Sequence, residues 1–163
     1  MLRDQNLIPL SHQHQRALAL CVRIERSLDA SKVDVHAWQL EIEQHYSQDI
    51  QFHFAAEEQV LFPAACRFPE LRSLVKELLQ EHESLRGFFG RATRREMDRP
   101  ELGQFAKLLS SHIRKEERQL FEAMQKLMTA GDMADLGRQL ELSLQGASQS
   151  CILPQGGTAK GPI

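Results

Sequence analysis

The chain lacks long apolar runs, has few aromatics and carries almost no charge imbalance, and each deficit closes off a class of function. No stretch of the 163 residues approaches the roughly 20 consecutive apolar positions of a membrane-spanning helix. The opening residues, MLRDQNLIPLSHQHQ, lack the apolar core of a signal peptide, so a cytoplasmic location is expected. Twenty Lys and Arg against 22 Asp and Glu give a formal net charge of -2. That balance offers no basic footprint for nucleic acid or for an anionic membrane. Cysteine is sparse: Cys21, Cys66 and Cys151 are odd in number, widely spaced and in no CxxC pair. Reduced thiols are expected, rather than a disulfide framework or a zinc–thiolate site. Aromatics make up only 6% of the chain, yet apolar residues reach 42%, enough for one domain around one core. Alternation of the kind a strand requires is absent throughout.

What is present is helical periodicity. Ser11, two residues after Pro9, is expected to cap a first helix running to about residue 28, with the stripe Ala17, Leu18, Cys21, Ile24 and Leu28. Residues 31–34 read as a connection, with Asp34 as the next N-cap. A second helix follows to about Phe62, where Pro63 and Pro69 end or bend it. The third runs from about Pro69 to Met97, with Leu71, Leu74, Val75, Leu78, Leu79, Leu85 and Phe89 as its stripe, and Gly87 and Gly90 weakening its far end. Asp98 or Arg99 caps the fourth, with Pro100 in its first turn. Its stripe is Leu102, Phe105, Leu108, Leu109, Ile113, Leu120, Met124 and Leu127. A shorter amphipathic piece covers 133–144. The expected domain is 1–145, and the Gly-, Pro- and Ser-rich tail, 146–163, is expected to be disordered. Four long amphipathic helices with short turns make an all-α, antiparallel up-down-up-down four-helix bundle the expected fold, with a short extra C-terminal helix. An αα solenoid has too few repeats to compete.

Seven histidines are the compositional oddity, and their placement is not random. Residues 53–62 read HFAAEEQVLF and residues 112–121 read HIRKEERQLF, with five of ten positions identical. His53 and Glu57 are four apart, as are His112 and Glu116, so each pair occupies one helix face. The neighbours Glu58 and Glu117 are expected to sit off that face, toward solvent. His82 lies on the apolar stripe of the third helix. In the first helix His12 and His14 point about 200° apart, so one of them faces inward, and His14 shares the face of Leu18 and Cys21. An imidazole or carboxylate on a core face needs a partner, and a shared divalent cation would serve both repeats.

Register supports convergence. In antiparallel neighbours, residues at one height are equidistant from the turn between them. The midpoints of His14/His53, His53/His82 and His82/His112 fall at 33.5, 67.5 and 97, each in an independently assigned turn. His14, His53, Glu57, His82, His112 and Glu116 are therefore expected to meet at one level. Four imidazoles and two carboxylates suit a pair of iron or manganese ions with the carboxylates bridging, whereas zinc usually settles for four ligands. His36 and His45 read as surface or boundary residues, and Tyr46 as too distant to be a ligand. Arg86, one turn from His82, pairs with a bridging Glu, draws an anion, or makes a helix-end salt bridge.

The segments SHQHQRAL, HFAAEEQVLFP, QEHESLR and HIRKEERQLF together resemble the hemerythrin-like proteins of the HHE cation-binding type, over about residues 10–130. That resemblance implies a non-haem di-iron centre in a four-helix bundle. His14, His53, His82 and His112 would be terminal ligands, and Glu57 and Glu116 bridges. It also implies a small diatomic or peroxide ligand. Oxygen-carrying members have two histidines four apart in the third helix, whereas here position 86 is Arg. Their fifth histidine has no counterpart. His45 shares the face of His53 but lies about 12 Å along the axis. These departures point away from reversible oxygen carriage. The expected role is binding or sensing of dioxygen, nitric oxide or peroxide. The other reading is an iron-handling or redox enzyme acting in oxidant detoxification or metal-site repair. A sensor of this length needs a partner, a second copy or another protein, reached through the 133–144 helix or the tail.

Overall fold

A computed structural model describes residues 2–29 and 33–150 of the protein. Among these residues the structure is all-helical, with five helices and no strand. Helix α1 is Ile8–Leu28. Helix α2 is a continuous rod over 35–65, in which two wide π turns, Tyr46–Ile50 and Glu57–Leu61, interrupt the α-helical ladder. A short 3-10 turn, Pro69–Leu71, leads into α3, Arg72–Arg94. Helix α4 covers 99–127 and contains a third π turn, Glu116–Leu120. Helix α5 is Ala130–Ser150. The turns at 66–68 and 95–98, and residues 33–34 before α2, contain the three register midpoints.

Several ends form as local chemistry dictates. Asp34 accepts the Ala37 amide at the start of α2. Asp98 and Glu101 form a reciprocal capping box ahead of Pro100. Ser11, expected to cap α1, does not. The helix begins three residues earlier, with Pro9 in its first turn, and the Ser11 hydroxyl donates instead to Glu117. Pro63 does not end α2 either. It sits just past a π turn, where the ladder is already opened and a missing N–H costs little. Arg95 closes α3 in the left-handed region (φ 61°), with its amide and that of Glu96 bonded back to Ala92 and Arg91. Helix α5 extends beyond the 133–144 piece read from the sequence: Thr129 accepts the Asp132 amide and donates to its carboxylate at the start. Most of the expected tail, 151–163, and with it Cys151, lies outside the described residues.

Packing follows the stripes with few exceptions. Helix α1 lies along α4, and α3 packs against α4 and the first part of α2. Helix α5 covers the middle of α2. Leu79 and Leu127, counted into stripes, are 39% and 38% exposed, at the margins of their faces. The apolar interior divides in two. One cluster holds Leu20, Ile24, Leu85, Phe89 and Phe105. The other holds Leu10, Leu61, Leu78, Phe121 and Leu136. Between them runs a layer of buried polar side chains: His14, His53, Glu57, His82, His112 and Glu116. Cys21 belongs to the first cluster, where burial pushes its thiol up to about 12.

Candidate metal centre

The polar layer is assembled by four helices. Leu10 and Ala17 flank His14 on α1; Leu78 and Leu85 flank His82 on α3. The two repeats bring His53 with Glu57 on α2, and His112 with Glu116 on α4. In both copies a π turn begins at the glutamate. His12 is exposed and His14 is 3% exposed, so the inward histidine of α1 is His14.

All four imidazoles aim Nε2 inward. The Nε2 atoms of His14 and His53 are 2.9 Å apart, and those of His82 and His112 are 3.1 Å apart. Glu57 lies between the two pairs: Oε1 is 3.1 Å from His53 Nε2 and 3.8 Å from His14 Nε2, while Oε2 is 3.3 Å from His82 Nε2. Glu116 does the same from the opposite helix, with Oε2 3.2 Å from His14 Nε2 and Oε1 3.3 Å from His112 Nε2. Two four-residue sets result, His14/His53/Glu57/Glu116 and Glu57/His82/His112/Glu116, each with its ligand atoms within 4.8 Å of one another. Each carboxylate belongs to both sets.

The outward ring nitrogens are fixed as well. Nδ1 of His14 lies 2.7 Å from Glu117, Nδ1 of His82 is 2.7 Å from Glu58, and Nδ1 of His112 is 2.9 Å from Glu81. A carboxylate only accepts, so these three Nδ1 atoms carry the proton. His53 Nδ1 is 2.7 Å from the Gln13 side-chain oxygen, which accepts in the same way. With Nδ1 protonated, a neutral ring presents a bare Nε2 lone pair. Two Nε2 atoms at 2.9 or 3.1 Å leave room for at most one proton between them. The four carboxylate oxygens of Glu57 and Glu116 are fully buried and make no hydrogen bond. Lone pairs and carboxylate charge therefore converge on a centre with no donor set to satisfy them, a costly arrangement unless cations fill it.

Compared with known protein families, the chain matches the Hemerythrin HHE cation binding domain over residues 9–124. The chain belongs to this family. No curated protein and no solved structure matches it. The matched stretch contains every residue of the polar layer and ends within α4, so α5 lies outside it.

The electrostatics of the hemerythrin-type cluster carry the same demand for positive charge. Burial pushes the His14 ring down, but Glu116, Glu117 and Glu57 outweigh it and hold the ring well above the usual imidazole value. Burial also lowers His112, yet Glu116 and Glu81 lift it to about 10. Glu57 is pushed up by burial and brought well below the carboxylate range by His53, His14 and His82. Glu116 is raised by burial and by Glu57, and His112 and His14 more than reverse this.

Two residues depart from the sequence reading. Glu58 and Glu117 do not look toward solvent; they are the acceptors for His82 and His14. Each is braced by an arginine: Arg86 bonds Glu58, and Arg3 bonds Glu117. The signal was there, since the repeat keeps two glutamates and not one, but α-helical geometry gives the second no reach. Arg86 accordingly pairs with Glu58 and Glu83 rather than with a bridging Glu. Gln13 and Glu81 carried no motif of their own. Tyr46 stacks on Phe89 with ring centroids 4.4 Å apart, and His36 is exposed.

A narrow cavity of about 20 Å³ abuts the cluster, room for a water-sized molecule. Ala17, Ile50, Phe54, Leu109 and Ile113 make its walls, and His14, His53 and His112 contact it. Toward the surface it meets Gln13, His45, Arg16 and Asp49. Arg16 and Asp49 form a two-pronged ion pair there, at 3.1 and 3.3 Å, and are 51% and 36% exposed. His45, eight residues before His53, stands at this rim and not at the cluster.

Proposed function

We propose that the protein is a non-haem di-iron protein that binds or responds to dioxygen, nitric oxide or peroxide. His14 and His53 would hold one ion and His82 and His112 the other, with Glu57 and Glu116 bridging. The observation that carries this reading is the set of four buried carboxylate oxygens without a hydrogen bond, shared between two pairs of facing imidazoles. Mixed imidazole and carboxylate donors suit iron, with manganese or zinc as competitors. Each set supplies four ligands, leaving open positions on an octahedral ion. When bound, such a pair of ions supplies redox-active open positions for a small ligand.

The chain's own residues do the rest. Glu117, Gln13, Glu58 and Glu81 hold each ring with Nε2 inward, which fixes the tautomer and raises ligand basicity. Phe54 stacks on His82 at 3.8 Å and Phe121 on His14 at 5.6 Å, which restricts ring rotation. The apolar cavity excludes bulk water and admits only small molecules. Helices α1 to α4 serve this as an up-down-up-down antiparallel bundle, the arrangement that sets all six groups at one height. Domain limits of 1–145 follow from the same reading.

Metal analysis with an optical spectrum tests the proposal. Two irons per chain with visible absorption are expected; zinc alone would overturn the redox reading. Adding dioxygen to the reduced protein then separates the roles. Reversible uptake indicates binding, and immediate oxidation indicates redox turnover or sensing. Glu57→Ala and Glu116→Ala should each abolish loading of both ions. Full metal content in either variant would refute the bridging role.

A further inference from the structure

We infer that Arg3 is a positioning residue of the metal centre: it holds Glu117, and through Glu117 the His14 ring. Docking of the segment ahead of α1, residues 2–7, and occupancy of the centre are thereby coupled. This rests on the two-ion reading above. Arg3 sets one Nη2 group on both the carboxylate and the backbone carbonyl of Glu117, at 2.7 Å each, inside the π turn of α4. The other oxygen of that carboxylate accepts from His14 Nδ1 and from the Ser11 hydroxyl, also at 2.7 Å. The Arg3 guanidinium lies over Phe121 as well, 5.0 Å from the ring centroid, and Phe121 is the ring stacked on His14. Arg3 thus fixes two of the groups that orient the His14 ring. Arg3 and Glu117 are 21% and 23% exposed, so theirs is a partly desolvated pair and not a surface ion pair of little consequence.

Elsewhere in the layer the bundle itself does this job. Each carboxylate that accepts from a layer histidine also has a cation: Glu58 has Arg86 of α3, Glu81 has Lys115 of α4, and Glu117 has Arg3. Arg86 and Lys115 lie within the matched family region, residues 9–124, and Arg3 lies ahead of it. The fixture that holds Arg3 is outside that region too. Gln125, on α4, accepts from Arg3 Nη1 at 2.8 Å and from the Asp4 amide at 3.3 Å, and donates to the Leu2 carbonyl at 2.9 Å. Asp4 in turn accepts from the backbone and side-chain amides of Asn6, which seats against Gly137 of α5. Three hydrogen bonds on one glutamine fix where the guanidinium stands, so loosening Gln125 loosens the brace on Glu117, at one remove from His14. Coupling of this kind is reciprocal: an ion that orders His14 favours the docked segment by the same factor as docking favours the ion.

Anaerobic titration of the metal-free full chain with cobalt(II), followed by visible absorption, tests the coupling from one side. Arg3→Ala should weaken cobalt binding by at least about fivefold. Gln125→Ala should weaken it in the same direction, and the double variant should lose no more than Arg3→Ala alone, because both act through one contact. Hydrogen exchange tests the coupling from the other side, on the unaltered chain. Cobalt should slow exchange in residues 2–7 by a factor similar to the loss of affinity, and this slowing should vanish in Arg3→Ala. A merely structural tether would loosen the segment in both variants and leave cobalt affinity where it was. Unchanged affinity in either variant, or exchange in residues 2–7 that is indifferent to cobalt, would overturn the inference and leave the two-ion reading standing. Absence of cobalt binding to the unaltered chain would remove that reading and the inference with it.

Discussion

At the scale of single residues, the protein solves one problem four times: a buried imidazole must present one nitrogen inward and satisfy the other. The acceptors come from different places. Glu58 and Glu117 follow the glutamates of the repeat, Gln13 precedes His14, and Glu81 precedes His82. Without metal the centre must recruit protons, and that gives a pH dependence with a definite sign. His14 is held well above its unfolded value and His112 is lifted from 6.5 to about 10, so both stabilise the metal-free fold below that unfolded value. Their contribution is lost as pH rises toward 10. Glu57, Glu116, Glu81 and Glu117 are depressed below 4.5, so theirs is lost as pH falls below the ordinary carboxylate range. The melting temperature of the chelated protein should therefore be highest at roughly pH 4.5–6.5 and decline steadily up to pH 10. A melting temperature that climbs between pH 7 and 9 would contradict this.

At the scale of helices, the π turns matter most. Two of the three start at a glutamate of the polar layer, Glu57 in α2 and Glu116 in α4. A π turn takes more residues than an α turn, so it rotates the following residue less and resets the face that follows. That is how Glu58 and Glu117 reach a histidine on another helix while Leu61 and Leu120 still face the core. The repeat is visible in the sequence as identical letters. The widened turn is not, because it arises from packing on both sides of the layer and not from local propensity. Caps, by contrast, are local. Removing the Asp98 side chain by Asp98→Ala unsatisfies the start of α4 and should cost about 1 kcal/mol. A thermal melt would register this as a fall of roughly 2–4 °C for a chain of this size.

On the molecular scale, the polar layer separates two apolar clusters, so the interior is stable only if the layer's charge is matched. Metal binding to the folded state alone stabilises it by mass action, by about 4 kcal/mol at a thousandfold excess over Kd. Chelation should then lower the melting temperature by about 10 °C. An unchanged melt on chelation would mean that the layer is satisfied without ions. Helix α5, outside the matched family region, closes the cluster of Leu10 and Leu61 through Met133, Leu136 and Leu140. Its approach to the N-terminal segment depends on Gly137, where a Cβ would sit 2.3 Å from Asn6 Oδ1 and 2.7 Å from Asn6 Cβ. Gly137→Ala should displace that segment at a cost of about 1–3 kcal/mol, with faster proteolysis ahead of Pro9 as the readout.

Helix positions, the turns at 66–68 and 95–98 and the six residues of the layer were set by the sequence alone. Apolar periodicity, proline and aspartate act within a few residues, and equal spacing about each turn carries height along a bundle. Which nitrogen of each ring faces inward, and which residue holds the other, was decided only by the tertiary structure. Gln13, Glu58, Glu81 and Glu117 meet their histidines through helix packing and widened turns, and a linear pattern records neither. The route from Arg16 and Asp49 down to His53 was decided there too, because a cavity is the space that packed helices fail to fill.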